Sequence, residues 1–238
     1  MRQEYILEVY GKRWYNVVGD KMINTVFFDL DGTIADSFEG ISDSILYALD
    51  KLGIEAPPRE SLKSFVGPPL FDEFRRRFAM DDDTAREAVR LYREYYPIKG
   101  IYEQTPINGA EELLKTLRDR GITVCLATSK PQEYAEKILE FFKFENYFDY
   151  VIGATFDGKI SAKADVIALV LGQTGAKPEN TLMVGDRFYD VEGAHACKVR
   201  CVGVLCGFGS REELEGSGAD FISETLSGVA DIVLNDNA

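Results

Sequence analysis

Histidine is almost absent from this chain of 238 residues, which contains His195 and no other. A Ser-His-Asp or Cys-His catalytic arrangement would have to use this residue, which lies among small residues of a predicted helix. We therefore interpret His195 as a helix-surface or half-buried residue. Any acid–base chemistry is expected to use carboxylates or lysines instead.

Cysteines are few as well, and long apolar runs are missing. The four cysteines form no CxxC pair, and one histidine is too few to complete a zinc site with them. We interpret them as buried or unused thiols in a reducing cytoplasm. The apolar runs are too short for a transmembrane helix, and the N-terminus lacks the pattern of a secretory signal.

Positive charge is also scarce, because 27 basic residues face 40 acidic ones and give a formal net charge of −13. This balance argues against a nucleic-acid polymer or an anionic membrane as a partner. It still permits a small phosphorylated metabolite, provided that a metal ion, a lysine or an arginine concentrates positive charge at the site. Composition does not distinguish a monomer from a dimer.

Strand-like apolar runs alternate with amphipathic helices from Met22 onward. The predicted strands are Thr25–Phe28, Thr123–Ala127, Tyr150–Gly153, Thr181–Val184 and Cys201–Val204. The predicted helices between them are Gly109–Arg120, Pro131–Phe142, Ala162–Thr174 and Arg187–Ala196. This alternation is typical of βαβ units and predicts an α/β fold, with a Rossmann-like parallel sheet and helices on both of its faces.

Two segments depart from this alternation. Between the first strand and Gly109 the pattern is helical only, and the predicted helices are Ser42–Leu52, Leu70–Phe78 and Thr84–Tyr96. We expect residues 38–104 to form an inserted α-helical cap domain, with residues 22–37 and 105–238 as the core domain. Residues 1–21 are interpreted as an N-terminal extension, in which Tyr5 to Tyr10 has strand character and after which Met22 is an alternative start.

Four short motifs lie at the carboxyl ends of predicted strands or directly after them. They are Asp29-Leu30-Asp31-Gly32-Thr33, then Thr128-Ser129-Lys130, then Lys163, and finally Gly185-Asp186 with Asp190 four residues later. Each motif alone has an ordinary explanation, such as a helix cap or a turn. Because parallel sheets bind ligands at the carboxyl ends of their strands, the shared placement predicts one common site.

The residue types at this predicted site suit phosphoryl transfer. Several carboxylates at one place repel each other unless a cation joins them, and hard oxygen ligands favour Mg²⁺. One carboxylate can attack phosphorus, while a lysine and a hydroxyl group stabilise the phosphoryl oxygens. A second acid, such as Asp31, can protonate the leaving alkoxide and later deprotonate water.

With all four motifs in this order, the chain resembles the haloacid dehalogenase (HAD) superfamily of phosphatases. The helical insert resembles the cap of that superfamily. Two segments, Ser64 to Leu70 and Val204 to Ser210, resemble its phosphoglycolate phosphatase-like branch. Some members of that branch are 5′-nucleotidases. The second acid of the first motif, Asp31, implies a phosphatase or phosphomutase, because the dehalogenases lack it.

The resemblance also implies a role for each motif residue. Asp29 is the implied nucleophile and a Mg²⁺ ligand. Asp31 is the implied general acid/base, and its backbone carbonyl is a further implied Mg²⁺ ligand. Thr128, with Ser129, binds the phosphate, and Lys163 steadies Asp29 and the phosphoryl group. Two further acids complete the implied metal site, with Asp186 as a ligand and Asp190 in support. Lys159 is a weaker competitor of Lys163 for the third motif.

Substrate selection is expected to come from the insert. Arg75, Arg76 and Arg77 share one predicted helix, and we name Arg75 as a candidate contact for a substrate carboxylate or second phosphate. The alternative is a solvated basic face, since successive helical residues point in different directions. Phe65, Phe71 and Phe74 are interpreted as the interior of the cap.

Three functions remain open on the sequence. The first is a Mg²⁺-dependent phosphatase that hydrolyses a small phosphomonoester, phosphoglycolate-like or a 5′-nucleotide, through an aspartyl-phosphate. The second is a sugar phosphomutase of the β-phosphoglucomutase kind, which shares the motifs. The third is a phospho-receiver signalling domain, which also uses an acidic Mg²⁺ pocket but places its phosphorylated aspartate on a later strand.

Overall fold

A parallel sheet of six strands organises the computed structural model, which describes residues 22–235. The strand order is β5-β4-β1-β6-β7-β8, and every pairing in it is parallel. These strands are β1 (Thr25–Phe28), β4 (Thr123–Pro131), β5 (Tyr150–Ala154), β6 (Thr181–Gly185), β7 (Arg200–Val204) and β8 (Phe221–Ser223). The predicted α/β class with a parallel sheet is confirmed.

Helices cover both faces of this sheet, because successive side chains of each strand point to opposite sides. Val26 and Phe28 belong to one hydrophobic cluster, while Phe27 between them belongs to the other. The first cluster is closed by α4 (Ala110–Asp119), α5 (Gln132–Phe142) and α9 (Leu226–Asn235), and the second by α6 (Lys163–Thr174), α7 (Phe188–Ala196) and α8 (Arg211–Gly216).

Three further helices interrupt the chain between β1 and β4. They are α1 (Phe38–Lys51), α2 (Leu70–Phe78) and α3 (Asp82–Tyr95). Asp81 is the N-cap of α3, since its carboxylate accepts a hydrogen bond from the Thr84 amide at 2.8 Å. A short antiparallel pair, β2 (Ala35–Asp36) with β3 (Thr105–Pro106), lies where the chain enters and leaves this insert. The domain boundary at residues 38–104 stays a prediction.

The beginning and the end of the insert lie close together at Gly40 and Gly100. A Cβ atom on Gly40, in the first turn of α1, would lie 1.9 Å from the carbonyl oxygen of Gly100. Only glycine permits this approach of two backbones, which fixes α1 against the end of the insert.

Several elements differ from the predicted ones. The strand β4 continues to Pro131, four residues beyond the predicted end, and its register with β5 shifts between Thr128 and Pro131. The prediction missed the strands β2, β3 and β8 and the helix α8, whose short lengths leave little period to detect. It also missed the ten-residue helix α9. The proposed extension, residues 1–21 with its strand-like run, lies outside the described residues. Within residues 22–235, no helix is both long and apolar enough to cross a membrane.

Candidate active site

Asp29 lies at the end of β1, where the chain turns away from the sheet. Its amide donates to the Val184 carbonyl at 2.9 Å, which continues the pairing of β1 with β6 for one residue. The turn that follows depends on Gly32, with φ of +80°, because a Cβ atom there would lie 2.2 Å from an Asp186 carboxylate oxygen. The first motif therefore brings its acids against the end of β6.

Lys163, the first residue of α6, is buried between two carboxylates. Its Nζ lies 2.7 Å from Asp29 Oδ1 and 2.9 Å from Asp190 Oδ1, and it donates to the Ala127 carbonyl at 3.1 Å. Burial lowers the pKa of this lysine, but the charges of Asp190 and Asp29 outweigh burial and raise the pKa above its ordinary value. Lys163 is therefore a fixed positive charge beside Asp29.

Asp186 and Asp190 are buried at the end of β6 and in the first turn of α7. Asp186 Oδ2 accepts a hydrogen bond from the Phe208 amide at 2.7 Å, and its Oδ1 accepts one from the Thr33 hydroxyl at 3.4 Å. Asp190 Oδ2 accepts from the Arg187 amide at 3.1 Å, which caps α7. Backbone donors therefore hold both carboxylates in place.

Asp29, Asp186 and Asp190 form a group that fits a divalent cation. Each offers a carboxylate oxygen, and these oxygens lie within 4.8 Å of one another. Burial raises the pKa of Asp29 to about 6 against the opposing effect of Lys163, and burial with the charge of Asp190 raises the pKa of Asp186 well above its usual range. Three buried acids beside one lysine are thus short of positive charge, and hard oxygen donors suit Mg²⁺.

Asp31 has a separate partner. Lys130 Nζ lies 2.7 and 2.8 Å from the two carboxylate oxygens of Asp31, and both side chains are almost fully buried. The ammonium group also lies 4.9 Å from the centre of the Tyr96 ring. The carboxylate of Asp31 is therefore held apart from the acidic group of Asp29, Asp186 and Asp190.

A cavity of about 310 Å³ opens above these residues. Asp29, Asp31, Thr128, Ser129, Lys163 and Asp190 all line it, so the structure brings residues from all four motifs to one space. Thr128 is buried, and its hydroxyl accepts a hydrogen bond from the Lys130 amide at 3.2 Å. The opposite walls come from the insert and include Phe65, Phe71, Tyr92 and Tyr96.

Residues 26–204 match the family model described as "Haloacid dehalogenase-like hydrolase". The chain belongs to this hydrolase family. Membership agrees with the resemblance carried by the four motifs, and it decides against the receiver-domain alternative, which is not a hydrolase.

Similar proteins include a protein of Pseudomonas aeruginosa named 5′-nucleotidase, which is 42% identical over 189 residues, or 79% of the hydrolase and 86% of that protein. A protein of Mycobacterium tuberculosis named tyrosine-protein kinase PtkA is 38% identical over 86% of the hydrolase and 67% of its own length. A crystal structure described as a predicted phosphatase from Clostridium acetobutylicum has a TM-score of 0.87 and 42% identity, over 90% of the hydrolase and 99% of that chain. The family, the relative named 5′-nucleotidase and the structure described as a predicted phosphatase together indicate a HAD-type phosphatase.

The structure does not bring Arg75 to the cavity of the hydrolase. Its Nε lies 2.9 Å from Asp82 Oδ1, its side chain is 49% exposed, and it is absent from the cavity lining. Position along α2 alone gave no indication that the neighbouring α3 would supply this acid. The contact of Arg75 with substrate therefore stays a prediction, and this geometry favours the alternative of a solvated basic face.

Three other predictions can be placed. Lys159 is 83% exposed and pairs with Asp157, so Lys163 alone of the two competing lysines lies at the site. His195 lies on α7 and contacts Asp220 at 2.9 Å, away from the cavity lining. Phe65 and Phe71 face the cavity, whereas Phe74 is buried among the cap helices as expected.

Lys130 is the residue that the sequence reasoning missed. It follows Thr128 and Ser129 directly in the second motif. A lysine after the end of a strand is usually expected to have a solvated side chain. The irregular end of β4 instead turns it inward to Asp31. One signal in the sequence could have indicated it. The first motif places two acids, Asp29 and Asp31, close together, and two buried acids need more than one neighbouring cation.

Proposed function

We propose that this hydrolase is a Mg²⁺-dependent phosphatase of a small phosphomonoester, phosphoglycolate-like or a 5′-nucleotide, acting through an aspartyl-phosphate on Asp29. The observation that carries the proposal is the buried contact of Lys163 with Asp29, beside the acidic group that includes Asp186 and Asp190. A nucleophile, a cation for the phosphoryl oxygens and a metal-ligand set then lie at one point. The 5′-nucleotidase relative supports a phosphomonoester substrate.

In the first step, a carboxylate oxygen of Asp29 attacks phosphorus and the bond from phosphorus to the ester oxygen breaks. Lys163 and the hydroxyl of Thr128 bind the phosphoryl oxygens and stabilise their charge. Asp31, in its protonated form, donates its proton to the departing oxygen. The products are a neutral alcohol and a phosphorylated Asp29.

In the second step, water attacks phosphorus, and the bond between phosphorus and the Asp29 oxygen breaks. Asp31 is now a carboxylate and accepts the proton of the attacking water. Lys130 contacts both oxygens of the Asp31 carboxylate in the resting structure, so it serves as a positioning residue for this second proton transfer, in which Asp31 is a carboxylate. Inorganic phosphate leaves, and Asp29 returns to its starting state.

Asp29, Asp186 and the backbone carbonyl of Asp31 are the proposed Mg²⁺ ligands, with Asp190 in support. When bound, the metal neutralises these carboxylates and draws charge from the phosphoryl oxygens. All four cysteines are free thiols, which supports our proposal that the enzyme works in a reducing cytoplasm.

Removal of divalent cations tests the metal dependence. Treatment with EDTA is expected to slow hydrolysis of 4-nitrophenyl phosphate by about a hundredfold or more, and Mg²⁺ to restore it. Because the pKa of Asp29 is raised to about 6 without metal, Mg²⁺ must displace a proton below that pH. Calorimetric titrations should therefore show affinity for Mg²⁺ falling as the pH is lowered from about 8 through 6. Affinity that is independent of pH would contradict this account of Asp29.

The same enzyme should be assayed against phosphoglycolate, nucleoside 5′-monophosphates and hexose 1-phosphates, with and without Mg²⁺. Release of inorganic phosphate from any of them supports the proposal. Conversion of a hexose 1-phosphate into its isomer without phosphate release would instead support the mutase.

Asp31→Asn separates the two proton transfers. With 4-nitrophenyl phosphate, whose phenolate leaves without a proton, the variant should give a burst of product followed by turnover slowed by about 10²–10⁴-fold. With an alkyl phosphate it should give no burst, because the first step is also blocked. Stopped-flow absorbance and quenched-flow phosphate release measure these phases. A burst with both substrates would show that Asp31 does not act as the acid.

A further inference from the structure

Four basic side chains line the cavity: Arg93, Lys130, Lys163 and Arg187. Three of them are already paired with carboxylates, Lys130 with Asp31, Lys163 with Asp29, and Arg187 with Glu213 at 2.7 Å from its Nε. These pairs commit their charges to the protein itself.

Arg93, on α3, differs from the other three. It has no carboxylate partner among residues 22–235, and its guanidinium lies 5.4 Å from the centre of the Phe156 ring. It is exposed on the solvent side of the cavity. In a chain with a net charge of −13, an arginine without an acid at a substrate cavity is a positive charge left for a ligand.

A continuous wall of aromatic rings connects the proposed acid to Arg93. Lys130 lies 4.9 Å from the centre of the Tyr96 ring, the rings of Tyr96 and Tyr134 are 5.3 Å apart, and those of Tyr134 and Phe156 are 5.0 Å apart. Arg93 covers the far end of this wall. Several ring spacings therefore separate Arg93 from the reacting groups.

The wall limits what an anion can bind. Its rings are mainly apolar, and a cavity of about 310 Å³ is at the size of sites for drug-sized ligands. An anionic group that enters above the wall meets one unpaired cation, Arg93. A guanidinium binds carboxylate and phosphate oxygens through two parallel hydrogen bonds.

We propose that Arg93 binds an anionic oxygen group, a carboxylate or a second phosphate, at the end of the leaving group remote from the reacting phosphate. This rests on the proposed phosphatase function, since it names the substrate class of the same cavity. The enzyme then prefers phosphomonoesters whose leaving group carries a second acidic group at its remote end. Arg93, rather than Arg75, is the specificity-determining arginine of the insert.

A pair of isosteric substrates tests the proposal. The wild-type enzyme is assayed with 4′-carboxybiphenyl-4-yl phosphate, whose carboxylate lies two rings from the phosphate, and with the 4′-carbamoyl analogue, which replaces the carboxylate by a neutral amide. A charge-assisted hydrogen bond makes kcat/KM about tenfold to a hundredfold higher for the carboxylate substrate. Arg93→Gln is expected to remove this preference by raising KM for the carboxylate substrate, with KM for the amide unchanged.

A second pair, biphenyl-4,4′-diyl bisphosphate and biphenyl-4-yl phosphate, distinguishes a phosphate from a carboxylate as the bound group. A preference for either acidic substrate that Arg93→Gln removes supports the proposal, and the larger preference names the group. Arg90→Gln is the matched control, because Arg90 is on the same helix, pairs with Glu87 and Glu94, and does not line the cavity.

The outcomes keep this inference apart from the proposed function. If the wild-type enzyme hydrolyses none of these aryl phosphates, the phosphatase proposal itself is overturned. Hydrolysis of both members of each pair with equal kcat/KM, or an equal loss on both in Arg93→Gln, overturns the role of Arg93 and leaves the phosphatase standing.

Discussion

Asp29→Asn is expected to abolish phosphate release, with a loss of about 10⁴-fold or more, because an amide does not attack phosphorus as a carboxylate does. The replacement keeps the shape of the side chain at the end of β1. Lys163 retains Asp190 as a partner at 2.9 Å, so its charge does not become isolated. The variant should therefore fold and still lack the chemical step.

The stability of this variant carries a second expectation. Burial raises the pKa of Asp29 to about 6, so near neutral pH the folded metal-free protein carries an acid whose charged form is disfavoured. A neutral amide removes that cost, and the Tm of the metal-free variant should be no lower than that of wild type. Mg²⁺ should raise the Tm of wild type more than that of Asp29→Asn, because the variant has lost a ligand.

Mass spectrometry of acid-quenched enzyme measures the intermediate directly. Wild type is expected to carry a phosphate on the peptide that contains residue 29, and Asp29→Asn none. Asp119→Asn is the matched control, since Asp119 is exposed at the end of α4 and should leave both rate and labelling unchanged. Full activity in Asp29→Asn, or a phosphate on a different aspartate, would reject the assigned nucleophile.

The sequence was informative where function depends on strand ends. Asp29, Lys163 and Asp186 each follow or open an element with a strong local pattern, and the parallel order of strands then brings them together. Such residues can be predicted because a local pattern in the sequence marks where each strand ends or each helix begins. The family resemblance assigned Lys163 to Asp29, but its second contact, with Asp190, is seen only in the structure.

The sequence was uninformative where a side chain depends on a distant neighbour. The direction of Lys130 follows from the register shift at the end of β4, which no local pattern marks. The place of Arg93 depends on Phe156, which lies after β5 and far along the chain. The contact of Arg75 with Asp82 was not foreseen, because Asp82 lies on a separate helix. These cases share one cause, since the local pattern around a charged residue does not show which distant residues pack beside it.

Lys163→Met is expected to impair both stability and activity. The substitution leaves Asp29 and Asp190 buried without their shared cation, and loss of one partner from a buried ion pair costs about 3–5 kcal/mol of unfolding free energy. Phosphoryl oxygens also lose their fixed positive charge, so kcat should fall by about a thousandfold or more. Thermal unfolding and phosphate release measure the two effects.

The pH dependence of the loss identifies its electrostatic origin. Without Lys163, the pKa of the buried Asp29 carboxyl group rises further above its value in the unfolded chain, so the folded variant binds protons more tightly than the unfolded variant. The loss of stability is therefore smallest at low pH and grows as the pH rises through the folded pKa, and Mg²⁺ should restore part of it. A loss of the same size at about pH 5 and pH 8 would instead indicate lost packing.

Lys159→Met provides the matched control, because Lys159 is 83% exposed and pairs only with the surface acid Asp157. Removing this lysine changes the net charge by the same amount, so a general effect of charge would appear in both variants. Little change in Tm or kcat is expected for Lys159→Met, since exposed ion pairs contribute little. If both variants lose activity equally, the buried contacts of Lys163 are not the cause. If only Lys163→Met loses activity and regains stability as the pH is lowered, the lysine acts through the charges of Asp29 and Asp190.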